Sequence, residues 1–500
     1  MLKTMRRRAL DPAELTLDSK AGLAVVERLL TSRQVRDVRL GLDVLGGAEH
    51  PSLSEHLLNL ATNGTADIQT EALSRIETRR LQEALSIVKS LIAADADPAV
   101  RGAAIRAYCA LAEVEAVETS IPYLDSTQLD VRLGAAVGLL RYGSIPGVLA
   151  VGPRLTAWEH SREVDDRCFL AHVMGEVDQP YLYQPLLSLL VDPDLPVRRA
   201  ALHATGRIKH PRLLPLVVDN LSDVATRSAA FEALVSYGDS MLPVVDKALS
   251  SGALSVEDTV RLVRACGQVK GERVLALMKP CLSHPVDAVR GQIMATLHAC
   301  RFHAHADADE LAMVNDVLCR EVERAHCLLV AHKDVEGGEV AEPLGRALSD
   351  ELSQARRRIF WLLSFMYDSR SLLSAETQLS HGRNSEQALA LEMLDVTLSS
   401  AHKGLTFPLI DPKMEQVQRV QLLGGHFEAG SLSIEKRLLT LIQNTDGQWV
   451  QPWTRACAIY AAAKSGVNGA LPYIKAALDD HDPVIQETAA WAISVLEQEP

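Results

Sequence analysis

Aromatic side chains are scarce, at 4% of the 500 residues. A thick globular core takes much of its buried area from such rings, so the shortage points to thin layers built from small residues. No run of eighteen apolar residues occurs, which leaves no segment able to span a bilayer as a helix. Positive charge is in deficit too. A formal net charge of −13 and a pI of about 5.7 argue against a broad phosphate-binding surface, and so against nucleic acid as partner. No glycine-rich phosphate loop, nucleophile elbow or H-E-x-x-H pair is present, and no cofactor site is expected. The eight cysteines include no paired C-x-x-C and sit mostly at apolar helical positions, as Cys109, Cys266 and Cys457 do. They read as small buried hydrophobes in a reducing, cytoplasmic compartment. The start, MLKTMRRRAL, is basic but has no apolar core after it, so it is not a secretory leader.

Alanine and leucine are abundant, and they are in register. In Asp194–Ile208, residues Val197, Ala200, Ala201, Ala204 and Ile208 fall at i, i+3, i+4, i+7 and i+11, one stripe of an α-helix. The same stripe recurs in Asp97–Leu111, Asp130–Tyr142, Asp223–Tyr237 and Asp482–Leu496. An arginine or glutamine marks each copy: Arg39, Gln69, Arg101, Arg132, Arg167, Arg198, Arg227, Arg261, Arg290, Arg455 and Gln486. Arg132 stands 31 positions after Arg101, Arg198 stands 31 after Arg167, and Arg227 stands 29 after Arg198. A period near 31 carrying helical stripes predicts stacked two-helix repeats, each burying its stripe only against its neighbours.

The repeats run over 21–301, after a polar lead-in at 1–20 in which Asp11-Pro12 opens a first helix. Arg6, Arg7 and Arg8 in the lead-in could touch anionic lipid, although a solvated tail accounts for three charges as well. First helices open near proline, as at His50-Pro51 and His210-Pro211. Gly206 and Gly267 read as left-handed C-caps of second helices. The period breaks at 302–370. There Asp307–His332 and Val340–Tyr367 read as two long helices about a Gly337-Gly338 turn, an αα-hairpin acting as brace or interaction arm. Repeats resume over 371–500, with Leu405–Gly447 less regular.

Three groups could carry chemistry. Asp97/Arg101, Asp194/Arg198 and Asp223/Arg227 are spaced i, i+4. Because they recur in every unit they read, with Arg132 and Arg290, as a structural ladder that caps helices and ties neighbours together, not as catalytic groups. Cys281, His284, His298, Cys300, His303, His305, Cys319, His326, Cys327 and His332 cluster in sequence, but without paired metal-ligand spacing. His284 precedes a proline as His50 and His210 do, so the repeat explains its position and no metal is expected. Arg356, Arg357 and Arg358, together with Trp449 and Trp453, are candidate partner contacts.

The D-x-x-V-R-x-x-A-x-x-A runs resemble the HEAT repeat family in its short, bilin-lyase-like form, over roughly Val25–Arg301 and Pro452–Glu497. A second likeness is carried by Arg357–Leu372 and Ala388–Leu398. These are similar to the cytosolic HEAT region of bacterial membrane proteins that have a major-facilitator or nucleotide-translocase-like half before it. The resemblances imply an all-α, right-handed α-solenoid of two-helix HEAT-like repeats, interrupted by the long αα-hairpin. They imply a non-enzymatic scaffold that holds a protein partner, including the cytosolic part of a transporter-like membrane protein, and the net acidity points to a partner with basic patches. The competing reading, by fold analogy, is a HEAT-built enzyme such as a bilin lyase or a DNA glycosylase.

Overall fold

The computed structural model describes residues 20–94, 96–304, 307–337, 342–444, 450–467 and 469–497. Arg6, Arg7, Arg8, the Asp11-Pro12 helix start, Gly338, His305 and Trp449 lie outside the described residues. Among the described residues every regular element is helical and none is a strand, so the fold is all-α. The chain divides into two compact units, Met1–Ser236 and Tyr237–Pro500.

In the first unit the second helices of the repeats are Val35–Gly47 (α1), Ala66–Arg79 (α2), Pro98–Ala112 (α3), Leu129–Tyr142 (α4), Val164–Val177 and Leu195–Ile208. Between α4 and Val164 the chain turns back through Ser144–Glu159 (α5), so Val164–Val177 is α6 and Leu195–Ile208 is α7. Helices α1, α2, α3, α4, α6 and α7 pack each on the next in one row, an α-solenoid. Shorter helices such as Leu53–Asn63, Leu85–Ala93 and Gln184–Leu189 form the second layer. The stripe Val197, Ala200, Ala201, Ala204 and Ile208 is buried, as its spacing predicts. Leu202 and Thr205, off the stripe, are buried as well. A helix inside a row has neighbours on both flanks, so its buried surface is wider than one amphipathic face.

Gly206 and Gly267 do not end their helices. Gly206 lies within α7, where a Cβ would meet the Ala233 Cα at 3.3 Å, and Gly267 lies against Thr296. They permit close helix crossing. The left-handed backbone positions just past these helices belong to Lys209 and Lys270, at φ 52° and 60°.

The second unit has its own row: Val256–Val269 (α8), Asp287–Ala299 (α9), then the long pair Ala308–Val335 (α10) and Glu342–Met366 (α11). After a helical pair at Ser369–His381 and Asn384–Thr397 come Ser400–Ile410 (α12), Gln416–Gly424 (α13), Ile434–Ile442 (α14), Pro452–Lys464 (α15) and Pro483–Leu496 (α16). The row runs α8, α9, α11, α15, α16. The long hairpin is therefore not an arm. Helix α11 takes a second-helix place in the row, while α10 packs along it and also contacts α12, α13 and α14. The α11 residues Leu344, Leu348, Ala355, Ile359, Leu362 and Leu363 are fully or almost fully buried. The described part of Leu405–Gly447, which reads as irregular, holds this set of short helices, α12 even containing Pro408.

Candidate interaction surface

Most of the recurrent arginines share one task, and it is not an ion pair to the aspartate four residues before. They reach back to carbonyls at the end of the first helix or in the turn that opens their own second helix, whereas Arg39 pairs with Glu71 at 2.8 Å and Arg261 with Asp258 at 2.5 Å. Arg101 Nε donates to Ile92 O at 3.0 Å, Arg198 Nη1 to Asp192 O at 2.8 Å, Arg227 Nε to Leu221 O at 3.0 Å and Arg290 Nη1 to His284 O at 2.8 Å. Gln69 does the same to Ala61 O at 2.9 Å. Carbonyls at a helix end lack intrahelical partners, and a guanidinium supplies several donors at once. Arg419, Arg437 and Arg455 act alike on Met414 O, Gly430 O and Ile442 O, which adds two markers hidden in the irregular stretch.

The free arm of several markers then crosses to the next repeat. Arg167 binds Asp192 at 2.8 Å and Asp194 at 2.5 Å, Arg198 binds Asp223 at 2.8 Å, and Arg455 binds Asp480. The ladder thus ties neighbours together. The aspartates divide by role. Asp97 accepts from the Ala99 amide and Asp223 from the Ala225 amide, whereas Asp194 makes no cap and is taken by Arg167. Arg132 differs again: its guanidinium lies over the Phe169 ring, 4.1 Å from the centroid, with Asp166 at 3.9 Å.

The histidine of each His-Pro opening accepts the amide two residues on. His210 accepts from Arg212 at 3.3 Å and His284 from Val286 at 3.2 Å, so Nδ1 of His284 is already engaged. Among the described residues no three of His, Cys, Asp or Glu gather as a metal would need.

Of the candidate partner contacts, Arg358 is misplaced by the sequence reading. It is buried, with Nε donating to Glu321 at 2.8 Å and Nη1 near Asp287 at 3.4 Å. Arg324 joins Asp287 and Glu351, and Arg290 joins Asp287 and Glu321, giving a balanced interior network across α9, α10 and α11. Burial raises the Glu351 carboxyl even beside Arg324. Arg356 is half-buried, Arg357 is exposed with Glu376 at 3.8 Å, and Trp453 is 60% exposed on α15.

The surface best suited to a partner lies elsewhere, on the first unit. Glu77 of α2, almost wholly buried, accepts from Arg106 at 2.6 Å, Arg141 at 2.9 Å and the Tyr142 hydroxyl at 3.0 Å. Burial and the Glu77 charge push the Tyr142 hydroxyl up. Arg141 also donates to Val177 O, while Glu176 pairs with Arg207 at 2.5 Å and with Arg106 at 3.5 Å. This charged strip joins α2, α3, α4, α6 and α7. Beside it Arg141 lines a groove of about 390 Å³ with Ile145, Val148, Leu149 and Tyr181. Ile145 is 74% exposed, Leu149 70% and Tyr181 63%. The repeat's buried stripe on α5 is Gly147, Val151 and Trp158. Ile145, Val148 and Leu149, at i, i+3 and i+4, form a second stripe on another face, and that spacing is the signal the sequence reading passed over.

A comparison with curated proteins finds no match. Among solved structures, the chain is similar to a homology model of the full-length AP-3 complex in an intermediate open conformation, at 12% identity over 99% of this chain and 98% of that one, TM-score 0.27. It is similar to importin beta in an ammonium sulfate condition, at 13% identity over 96% and 68%, TM-score 0.29. It is also similar to Kap121p, at 11% identity over 95% and 57%, TM-score 0.28. The family model of HEAT repeats matches residues 153–235, from α5 through α7 and beyond, so the first unit carries a HEAT-repeat region.

Proposed function

We propose that the chain is a non-enzymatic scaffold that holds a protein partner along the α4–α5 edge of its first unit. The observation that carries this reading is the groove of Ile145, Val148, Leu149 and Tyr181, an apolar patch bounded by Arg141. Contiguous exposed apolar surface rimmed by polar groups marks an interaction site. In the adjoining strip Arg106, Arg141 and Arg207 outnumber Glu77 and Glu176, so the fitting segment presents apolar side chains with a carboxylate beside them. The chain-wide acidity, which favours basic partners, does not describe this edge.

The non-enzymatic part draws support from how the ionisable groups are spent. The buried arginines and carboxylates of α9, α10 and α11 neutralise one another. Burial pushes the Cys109 thiol to about 11 and the Cys266 thiol to about 12, which leaves both protonated and inert. The finer assignment, a module at the cytosolic face of a transporter-like membrane protein, draws on the likeness of Arg357–Leu372 and Ala388–Leu398 to such regions.

The test compares captures from detergent-solubilised lysate by wild type and by the double variant Ile145→Asp, Leu149→Asp. Both side chains face solvent, so circular dichroism of the variant matches wild type. A defined partner lost with the variant supports the reading, and a membrane transporter as that partner supports the finer assignment. Identical captures by both proteins contradict it.

A further inference from the structure

Buried arginines in the second unit are matched to carboxylates: Arg324 to Glu351, Arg358 to Glu321, Arg437 to Asp334 and Arg455 to Asp480. Arg419 of α13 makes no salt bridge among the described residues, although the charge of nearby Asp411 acts on it. All its hydrogen bonds go to backbone carbonyls: Nε to Met414 O at 2.8 Å, Nη2 to Asp411 O at 2.6 Å and Nη1 to Leu409 O at 3.5 Å. It lines a pocket of about 250 Å³ together with Arg356 of α11. Arg356 is odder still. Its Nε is buried with no hydrogen-bond partner, and no carboxylate pairs with its guanidinium among the described residues. Burial and the neighbouring Arg419 charge push it down to about 10.

Placing two guanidinium groups in one pocket without an acid is costly, because desolvation and repulsion add. The cost is offset when an anion sits between them. The rest of the lining fits that occupant. No aspartate or glutamate is among the lining residues. Gln416 Nε2 donates to His332 Nδ1 at 3.1 Å and to Leu329 O at 3.3 Å. The accepting Nδ1 fixes the neutral tautomer that carries its proton on Nε2, a further donor. Ser349 adds a hydroxyl at the exposed rim. Leu329 and Leu352, both buried, exclude water from one wall and strengthen every charge interaction inside.

We infer that this pocket binds a small tetrahedral oxyanion, a phosphate group held between Arg356 and Arg419 with His332 and Ser349 as further donors. The planar guanidinium fork matches phosphate oxygens in bidentate fashion. The volume is below the roughly 300–1,000 Å³ of sites for drug-sized ligands, so the ligand is inorganic phosphate or a small phosphate monoester. This site is in the second unit and stands apart from the protein-binding edge proposed above.

The experiment is calorimetric titration of the full chain with inorganic phosphate and, separately, glycerol 3-phosphate, at fixed ionic strength in a buffer free of oxyanions. Wild type binds saturably. The tighter of the two probes says whether the free ion or the ester is the ligand. Arg356→Met weakens binding about tenfold or more, the loss of a charged hydrogen-bond pair. The same variant melts at an equal or higher temperature than wild type without phosphate, because it removes a half-buried charge that faces Arg419 with no acid paired to it. Arg357→Met, at the exposed neighbour, binds as wild type does. Absence of saturable binding to either probe overturns the inference. So does an Arg356→Met protein that binds phosphate unchanged, or one that is destabilised while its phosphate response persists.

Discussion

Gly134 of α4 faces Gly102 of α3 so closely that a Cβ built on Gly134 would fall well inside contact distance of the Gly102 carbonyl oxygen. A Cβ on Gly102 would in turn overlap the Asp130 carbonyl. The obstructing atoms are backbone, which cannot rotate away, so this crossing depends on two residues without side chains. One turn further on, a Cβ on Gly138 would come within 2.8 Å of the Cys109 Sγ.

Gly134→Ala therefore destabilises the first unit by about 3 kcal/mol, at the upper end of overpacking costs. Gly152→Ala supplies the contrast, since nothing lies within 4 Å of its added Cβ in α5. There the better helix former stabilises by about 0.5–1 kcal/mol. Urea unfolding of both variants checks the opposite signs, and two losses of equal size would refute the close crossing.

Arg167→Met tests the cross-repeat tie. Its loss strands Asp192, which is buried against it, and removes donors from Ser161 O and Arg162 O. Breaking a buried pair from one side costs about 3 kcal/mol or more. Adding Asp192→Asn recovers part of this, because the stranded charge is gone. A double-mutant cycle reads the coupling; strictly additive single effects would mean that the pair contributes nothing.

The row of helices was legible because its determinants are local: the alanine stripe and the marker period both survive in a linear reading. What the markers do was only half legible. The i, i+4 spacing of Asp194 and Arg198 suggests a pair, but the arginine side chain donates instead to the Asp192 and Pro193 carbonyls and to Asp223 of the next repeat. The place of α11 in the row could not be read, since its apolar periodicity shows that it is buried but not which helices bury it. Arg358 looked like a surface residue because its neighbours Arg356 and Arg357 share its charge. Its partners, Asp287 and Glu321, are far away in sequence. The convergence of Arg356 with Arg419 was hidden for the same reason.

His326, fully buried in α10, has neither ring nitrogen hydrogen-bonded among the described residues. Burial lowers its pKa from 6.5. Below that value the unfolded chain takes up the proton before the folded chain does, so this contribution to stability is complete above pH 6.5 and falls as pH drops through the folded pKa. His326→Leu removes the orphan nitrogens and raises stability by about 1 kcal/mol at neutral pH or above. The gain grows at about pH 5.5, where wild type alone bears the protonation cost. Thermal melts at both pH values decide the point; a gain that is the same at each would contradict the buried, neutral histidine.

The α4–α5 edge is tested most directly in living cells, by placing a photo-crosslinking amino acid at Leu149 and, as control, at Val396, which is 88% exposed on the other unit. The account predicts one discrete protein adduct from position 149 that is absent from position 396. No adduct at 149, or the same spread of adducts from both positions, would contradict it.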